Sequence, residues 1–214
     1  MRILRPAVLM LALLIAGHAH AAEPDVFSSP TAGFKVTKPS GWHFMSAEQN
    51  KANLKAVKMN DQEFQQAMEK YATAPLVAMT KHEEPYADVN PSFRVNIRAL
   101  GDLKGKPPVE LAGLLVPQLQ KVFKDFDLVQ PPIEIVVSGH KSAYVRMNYT
   151  LETADGGAYP TTSELWIVPR GDYFFMVGAG TRTDEKTGTR KEIAAILKTV
   201  KIDPQPAGAR PLRP

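Results

Sequence analysis

Between residues 143 and 181 apolar and polar positions alternate in three extended runs. In the first, Val145, Met147, Tyr149 and Leu151 interleave with Tyr144, Arg146, Asn148, Thr150 and Glu152. That is the period of two expected of a strand with one face in a core. Asp155-Gly156-Gly157 marks a hairpin, because glycine reaches positive φ without steric cost. The second run, residues 159–168, carries Leu165, Trp166 and Ile167, and Pro160 cannot donate to a ladder, which predicts a ragged start. Arg170-Gly171-Asp172 is the second turn. Residues 173–177 are apolar on both sides, the pattern of a central strand covered on both faces. Helices elsewhere in the chain are expected to supply that cover.

The flanking pattern is mixed. Residues 33–37 alternate as a strand, and Pro39-Ser40-Gly41-Trp42 turns the chain so that Trp42 buries its ring against the sheet. Residues 47–58 admit either a helix or a surface excursion. Residues 61–72 predict a helix capped by Asn60 or Asp61, with Phe64, Ala67, Met68 and Tyr71 on one face. Residues 76–80 read as a strand, 82–91 as a polar loop, and Phe93, Val95 and Ile97 as the inner face of another strand. Pro107-Pro108 opens a helix with a stripe of Leu111, Leu114, Leu115, Leu119, Val122 and Phe123, and Pro117 inside it predicts a kink or a break. Pro131-Pro132 divides residues 126–137 into a broken strand or two short ones. A last helix, capped by Thr183 or Asp184, buries Ile193, Ala194, Ile196, Leu197 and Val200. The whole reads as α+β, an antiparallel β-sheet flanked by helices, in a single domain over residues 22–203. The proline-rich residues 204–214 read as a disordered tail.

The first 21 residues change the compartment. Arg2 and Arg5 form a basic start, residues 7–16 an apolar run too short to span a bilayer, and Ala19-His20-Ala21 a small-x-small cleavage site. A cleaved signal peptide over residues 1–21, with Ala22 as the mature N-terminus, predicts a periplasmic or secreted protein. The chain has no cysteine, which excludes disulfides, thiol chemistry and a lipoprotein anchor. Without the two leader arginines, 24 basic residues face 22 acidic ones, too slight a surplus for a nucleic-acid partner. No second apolar run is long enough to cross a membrane.

Candidate chemistry is sparse. The histidines of the mature chain are His43, His82 and His140. His82-Glu83-Glu84 is the nearest approach to a metal cluster, but neighbours on one loop seldom converge on an ion, and a solvated loop is the plainer reading. Ser138-Gly139-His140 lacks a nucleophile elbow and an orienting acid, so it reads as a turn. Gly178-Ala179-Gly180 before a helix is similar to a phosphate-cradling loop, with an anion then near the amides of Thr181–Thr183, but it lacks the third glycine and a lysine-serine pair. Close packing of small residues is the alternative. Arg170-Gly171-Asp172 matches an integrin-binding tripeptide, though a glycine turn explains it. No catalytic, cofactor or metal residue is assigned and no cofactor is expected.

Gly33-Phe34-Lys35-Val36 through Pro39, Gly41 and Trp42 resembles the first strand and turn of PsbP-like proteins. The Tyr173-Phe174-Phe175 strand, the helix ending near Ile196-Leu197 and the closing Val200-Lys201-Ile202 are similar too. The family includes the photosystem II extrinsic protein and secreted bacterial relatives, and the resemblance spans roughly residues 27–202. It implies an α/β/α sandwich around a curved antiparallel sheet. The same fold serves a Ran-binding nuclear import factor, so it leaves function open. The resulting expectation is a non-enzymatic accessory or binding protein of the bacterial envelope. It would offer a sheet–helix groove to a protein partner or small ligand, with Trp42, Tyr159 and Trp166 as candidate contacts. The alternative is an exported hydrolase whose catalytic residues converge only in three dimensions.

Overall fold

A computed structural model describes residues 25–59, 61, 65–66 and 74–204. The expected signal peptide, most of the expected helix at 61–72 and nearly all of the expected tail lie outside these residues.

The central sheet is antiparallel throughout. Its strands are β3 (His43–Phe44), β4 (Val57–Lys58), β5 (Val77–Thr80), β6 (Ser92–Ala99), β7 (Lys124–Val137), β8 (His140–Thr153), β9 (Ala158–Arg170) and β10 (Tyr173–Arg182). They run in the order β3-β5-β6-β10-β9-β8, and β4 and β7 both pair with β8. β10 lies between β6 and β9, the central place its two-sided apolar pattern predicts. The meander β8-β9-β10 pairs without a register shift from Ala143↔Ile167 to Arg182↔Thr161. A smaller sheet of β1 (Val26–Ser29), β2 (Phe34–Thr37) and β11 (Lys201–Ile202) packs against it.

Among the described residues three longer helices accompany the sheets: α1 (Ala47–Ala56), α2 (Pro108–Val122) and α3 (Arg190–Thr199). They divide the core in two. On one face Phe175, Val177, Trp166, Val168, Phe93 and Val95 meet Ile193 and Ile196 of α3 and Phe34 and Val36 of β2. On the other, Phe174, Ile167 and Ala143 meet Leu111 and Ala112 of α2. Alternation along β10 sends Phe175 to the first core and Phe174 to the second. The fold is the expected α+β sandwich, with one amendment: part of the cover on the α3 face is the small sheet, not helix.

Several local expectations are corrected. α1 is a helix, closed by a capping box in which Ser46 Oγ accepts from the Gln49 amide and Gln49 Oε1 from the Ser46 amide. α2 is unbroken at Pro117: Pro117 and Gly113 are both exposed, so the carbonyl that loses its bond faces water. Leu114, expected in the stripe, is 49% exposed. α3 begins at Arg190, capped by Thr189 rather than by Thr183 or Asp184. Arg182 holds Asp88 and Asp184 in ion pairs there and keeps residues 183–189 as a loop. Ala194 points outward. β7 runs on through Pro131-Pro132, which fall in the last of its three register shifts against β8, between Gln130 and Ile133. Prolines and bulges on this strand blunt an edge that would otherwise template pairing.

Candidate functional site

Where α3 leaves the sheet, β8 and β9 present a row of polar side chains on the same face as the larger core. Register sets the row: Tyr144 opposes Trp166, Arg146 opposes Glu164, and Asn148 opposes Thr162. β10 continues it with Ala179 beside Glu164 and Thr181 beside Thr162. From above, Arg190 reaches down as the first residue of α3.

Glu164 is the centre. It is 6% exposed, and its Oε1 accepts from Tyr144 Oη at 2.5 Å and Arg190 Nη2 at 3.0 Å. A carboxylate removed from water needs such donors, and here one of them is charged. Trp166, itself buried, backs the Tyr144 ring at a centroid distance of 5.3 Å. Thr162 Oγ1 donates to Asn148 Oδ1 at 2.8 Å and lies 3.1 Å from Thr183 Oγ1, whose hydroxyl can donate to it. Thr181 Oγ1 and Arg190 Nε are buried without a partner. Arg190 pairs with the carboxylate and Arg146 stands opposite it in the register, so this stretch of the face holds two guanidinium groups against one carboxylate.

Burial, and then the bond to the Glu164 carboxylate, push the Tyr144 phenol up to about 12. Its folded-state value exceeds its unfolded one, near 10. The stability this contributes is therefore complete below about pH 10 and lost as pH rises through about 12. In a tyrosinate absorbance titration, Tyr144→Phe is expected to remove a late-ionising group and leave the early phase intact. A loss from the early phase instead would show that the phenol is not held in this way.

The other candidates from the sequence are scattered. His82 Nε2 lies 2.8 Å from the Thr187 carbonyl and stacks on Tyr86, His140 Nε2 lies 3.3 Å from the Ile202 carbonyl, and His43 is exposed on β3. Glu84 of the supposed metal triplet accepts from Asn53, Asn90 and the Tyr86 amide. Among the described residues no group of three His, Cys, Asp or Glu could hold a metal. Gly178 and Gly180 lie in strand β10, not in a loop, and the Thr183 amide donates to the Pro160 carbonyl, so the amides of the anion site weighed there are spent on the ladder and its continuation. The Arg170-Gly171-Asp172 turn displays no integrin motif: Arg170 is 8% exposed and Asp172 pairs with Lys104.

Of the three aromatic candidates, Trp42 and Trp166 are buried in the larger core. Tyr159 is half-buried, donates to the Ala87 carbonyl at 3.1 Å and packs near Arg182. An apolar cavity of about 160 Å³ opens beside β3 and β5, lined by Phe27, Phe44, Met45 and Leu76. That is below the roughly 300 Å³ at which ligand pockets begin. Sequence reasoning missed Tyr144, Arg146, Glu164 and Arg190. The only available sign was the unusual glutamate at an inward position of β9, and its partner lies 26 residues away on α3.

No protein-family model matches the chain, and no curated protein matches its sequence. Solved structures do share its architecture. LpqN, involved in cell envelope biogenesis of Mycobacterium tuberculosis, is 10% identical with a TM-score of 0.50, over 86% of this chain and 88% of LpqN. Cyanobacterial PsbP from Synechocystis is 12% identical with a TM-score of 0.47, over 88% of this chain and 99% of that one. A Bacteroides thetaiotaomicron protein is 16% identical with a TM-score of 0.47, covering 88% of this chain; the chain spans about half of that protein's length, 51%. PsbP is thus among the structures the chain resembles, as its sequence leads one to expect, and at these identities the likeness concerns fold alone.

Proposed function

We propose that this chain is an exported, non-enzymatic binding protein of the bacterial envelope. It holds a protein partner or small ligand in the sheet–helix groove between β8, β9 and the start of α3. The observation that carries this reading is the buried Glu164 carboxylate, which takes donors from Tyr144 and Arg190 and fixes both beside Arg146. Polar groups fixed in advance lower the ordering cost of binding. The excess of guanidinium over carboxylate favours an acidic group on the partner and speeds its approach. Trp42 and Trp166 act from within the core, Trp166 by backing Tyr144, while Tyr159 falls with Leu165 and Ile167 on the other face of β9 and lies outside the groove.

Export rests on the basic, apolar and small-residue order of residues 1–21. The mature domain then covers residues 22–203, followed by the tail 204–214. LpqN supplies an example of the same architecture in envelope biogenesis. The hydrolase alternative needs a histidine joined to an acid or hydroxyl, whereas His82 and His140 spend Nε2 on backbone carbonyls.

The test is capture from the native envelope with the full chain, wild type against Arg146→Glu. The purified protein is expected to begin at Ala22. The charge reversal should weaken recovery of a reproducible partner or ligand about tenfold without altering the melting temperature. Equal recovery by both proteins would refute the groove, and an intact leader on cytoplasmic protein would refute export.

A further inference from the structure

The outer surface of the α3 layer carries charge of one sign. Phe34 and Val36 of β2 point into the larger core, so Lys35 between them points out. Alternation and register send Val26 and Ser28 of β1 and Lys201 of β11 the same way, with Lys201 directly opposite Lys35. α3 lies beside this small sheet, where Thr199 Oγ1 accepts from the Thr37 amide at 3.0 Å. Ile193 and Ile196 face the core with Phe34. That leaves Lys191, Ala194, Ala195 and Lys198 exposed along the other side of the helix, at i, i+3, i+4 and i+7. Four exposed lysines thus share one surface, and Val26, 52% exposed, lies on it with them.

Two observations set this surface apart from an ordinary solvated face. Like charges directly opposite on neighbouring strands weaken their pairing, and β11 carries such a charge in a pairing only two residues long. The charge is also concentrated along the chain. Residues 186–214 hold seven lysines and arginines against two acids, compared with 24 against 22 in the whole chain without its leader. One of those acids, Glu192, is held by Lys81 and by the Thr189 amide. The other, Asp203, is the single acid in residues 193–214.

The side chains suit a lipid surface better than a folded partner. The four cations are all lysines, point charges on flexible stems without the guanidinium fork that fixes one carboxylate or phosphate. Specific protein interfaces are depleted in lysine and enriched in aromatic residues, whereas lysine prevails here and the outward residues include no aromatic ring. An anionic bilayer demands no exact register of charges, and each lysine near it adds about fivefold to partitioning. An exposed valine can enter the headgroup boundary.

We propose that this face docks the protein on a bilayer whose headgroups carry net negative charge, with Lys35, Lys191, Lys198 and Lys201 over the phosphates and Val26 at their level. Four such gains put half-binding at a lipid concentration on the order of 1 mM, a weak and reversible contact. The face makes no use of the Glu164 groove and does not rest on that reading.

Co-sedimentation of the leaderless protein with vesicles of equal parts phosphatidylglycerol and phosphatidylcholine, against phosphatidylcholine alone, tests the proposal. Binding is expected to the mixed vesicles only, and to fall steeply between about 0.05 and 0.5 M salt as the Debye length shrinks. Lys198→Gln should lower it about fivefold, and Lys35→Gln, Lys198→Gln and Lys201→Gln together about a hundredfold. Lys121→Gln, exposed on α2 across the sheet, should change it little. Without vesicles Lys35→Gln should melt no lower than wild type, since it relieves the opposed pair. Equal binding to both vesicles, binding to neither, or binding that survives the triple change would each overturn the proposal. So would an equal loss in Lys121→Gln, which would point to net charge instead of this face, or a lower melting temperature in Lys35→Gln, which would make that lysine structural. Retention on polyglutamate beads that the triple change abolishes, with no binding to vesicles, would make the partner an acidic protein and overturn the lipid assignment. Groove capture is read with Arg146→Glu in the absence of vesicles, so either surface can fail without the other.

Discussion

Phe175→Ala is expected to destabilise the domain by about 3–5 kcal/mol, the range for truncating a fully buried aromatic. Phe175 is 0% exposed at the middle of β10. Its ring lies 5.1 Å from Phe34 of the small sheet and 5.4 Å, edge-on, from Tyr173. It therefore touches both layers that β10 joins, and neither layer can collapse into the void without leaving the other. Phe174 next to it faces the smaller cluster under α2 and is 9% exposed. Phe174→Ala should cost less, because the α2 side can relax toward solvent. Urea unfolding with an unchanged slope measures both. A loss at Phe175 no greater than that at Phe174 would mean that the larger cluster is not the principal core.

The contrast between those neighbours shows what is legible in a sequence. Alternation is a local signal, so the meander and the faces of Val145, Met147 and Trp166 follow from period alone. The central position of β10 follows from its two-sided apolar run. Signals that depend on solvent or on partners do not carry through. Pro117 and Pro131-Pro132 read as breaks, yet one faces water and the others sit on an edge strand whose bulges absorb them. The start of α3 moves from Thr183 to Thr189 because Arg182 engages Asp88, a residue 94 positions earlier that no local pattern links to it. Ser46 and Gln49, by contrast, spell a capping box in the sequence itself, but the helix behind it has almost no apolar face to support the reading.

The groove is hidden in the sequence for a similar reason, while its support is not. Trp166 is conspicuous in sequence and proves to be a wall. Glu164, two residues before it, does the organising, but a glutamate on a strand looks like an outward residue until Arg190 and Tyr144 are brought to it. Long-range pairing, not residue type, distinguishes a charge that builds a site from one that faces water.

Arg170→Met is the second large effect, expected at about 2–4 kcal/mol from hydrogen bonds to a charged donor that are lost together. Arg170 ends β9, where its Nε donates to the Asp203 carbonyl at 2.7 Å, Nη2 to the Pro204 carbonyl at 3.4 Å, and Nη1 to Tyr173 Oη. Tyr173 passes the contact on by donating to the Ala32 carbonyl at 3.1 Å. One guanidinium thus ties the central sheet to both ends of the small one. Lysine has the charge but not the planar fork, so Arg170→Lys should recover less than half of the loss. Gly33 is the independent check. It sits at φ +61°, and a Cβ there would lie 2.5 Å from Arg170 Nη2, so Gly33→Ala adds left-handed strain to displacement of the same side chain. Both variants should expose the amides of Ile202 and Asp203 to hydrogen exchange well before those of β10, because the Ile202 amide bonds across to Ser138 Oγ in the β7–β8 turn of the central sheet and the Asp203 amide bonds to the Gly33 carbonyl beside the altered guanidinium. Unchanged protection at Ile202 and Asp203 in Arg170→Met would show that apolar burial of Phe34 and Ile202 holds the small sheet in place without the arginine.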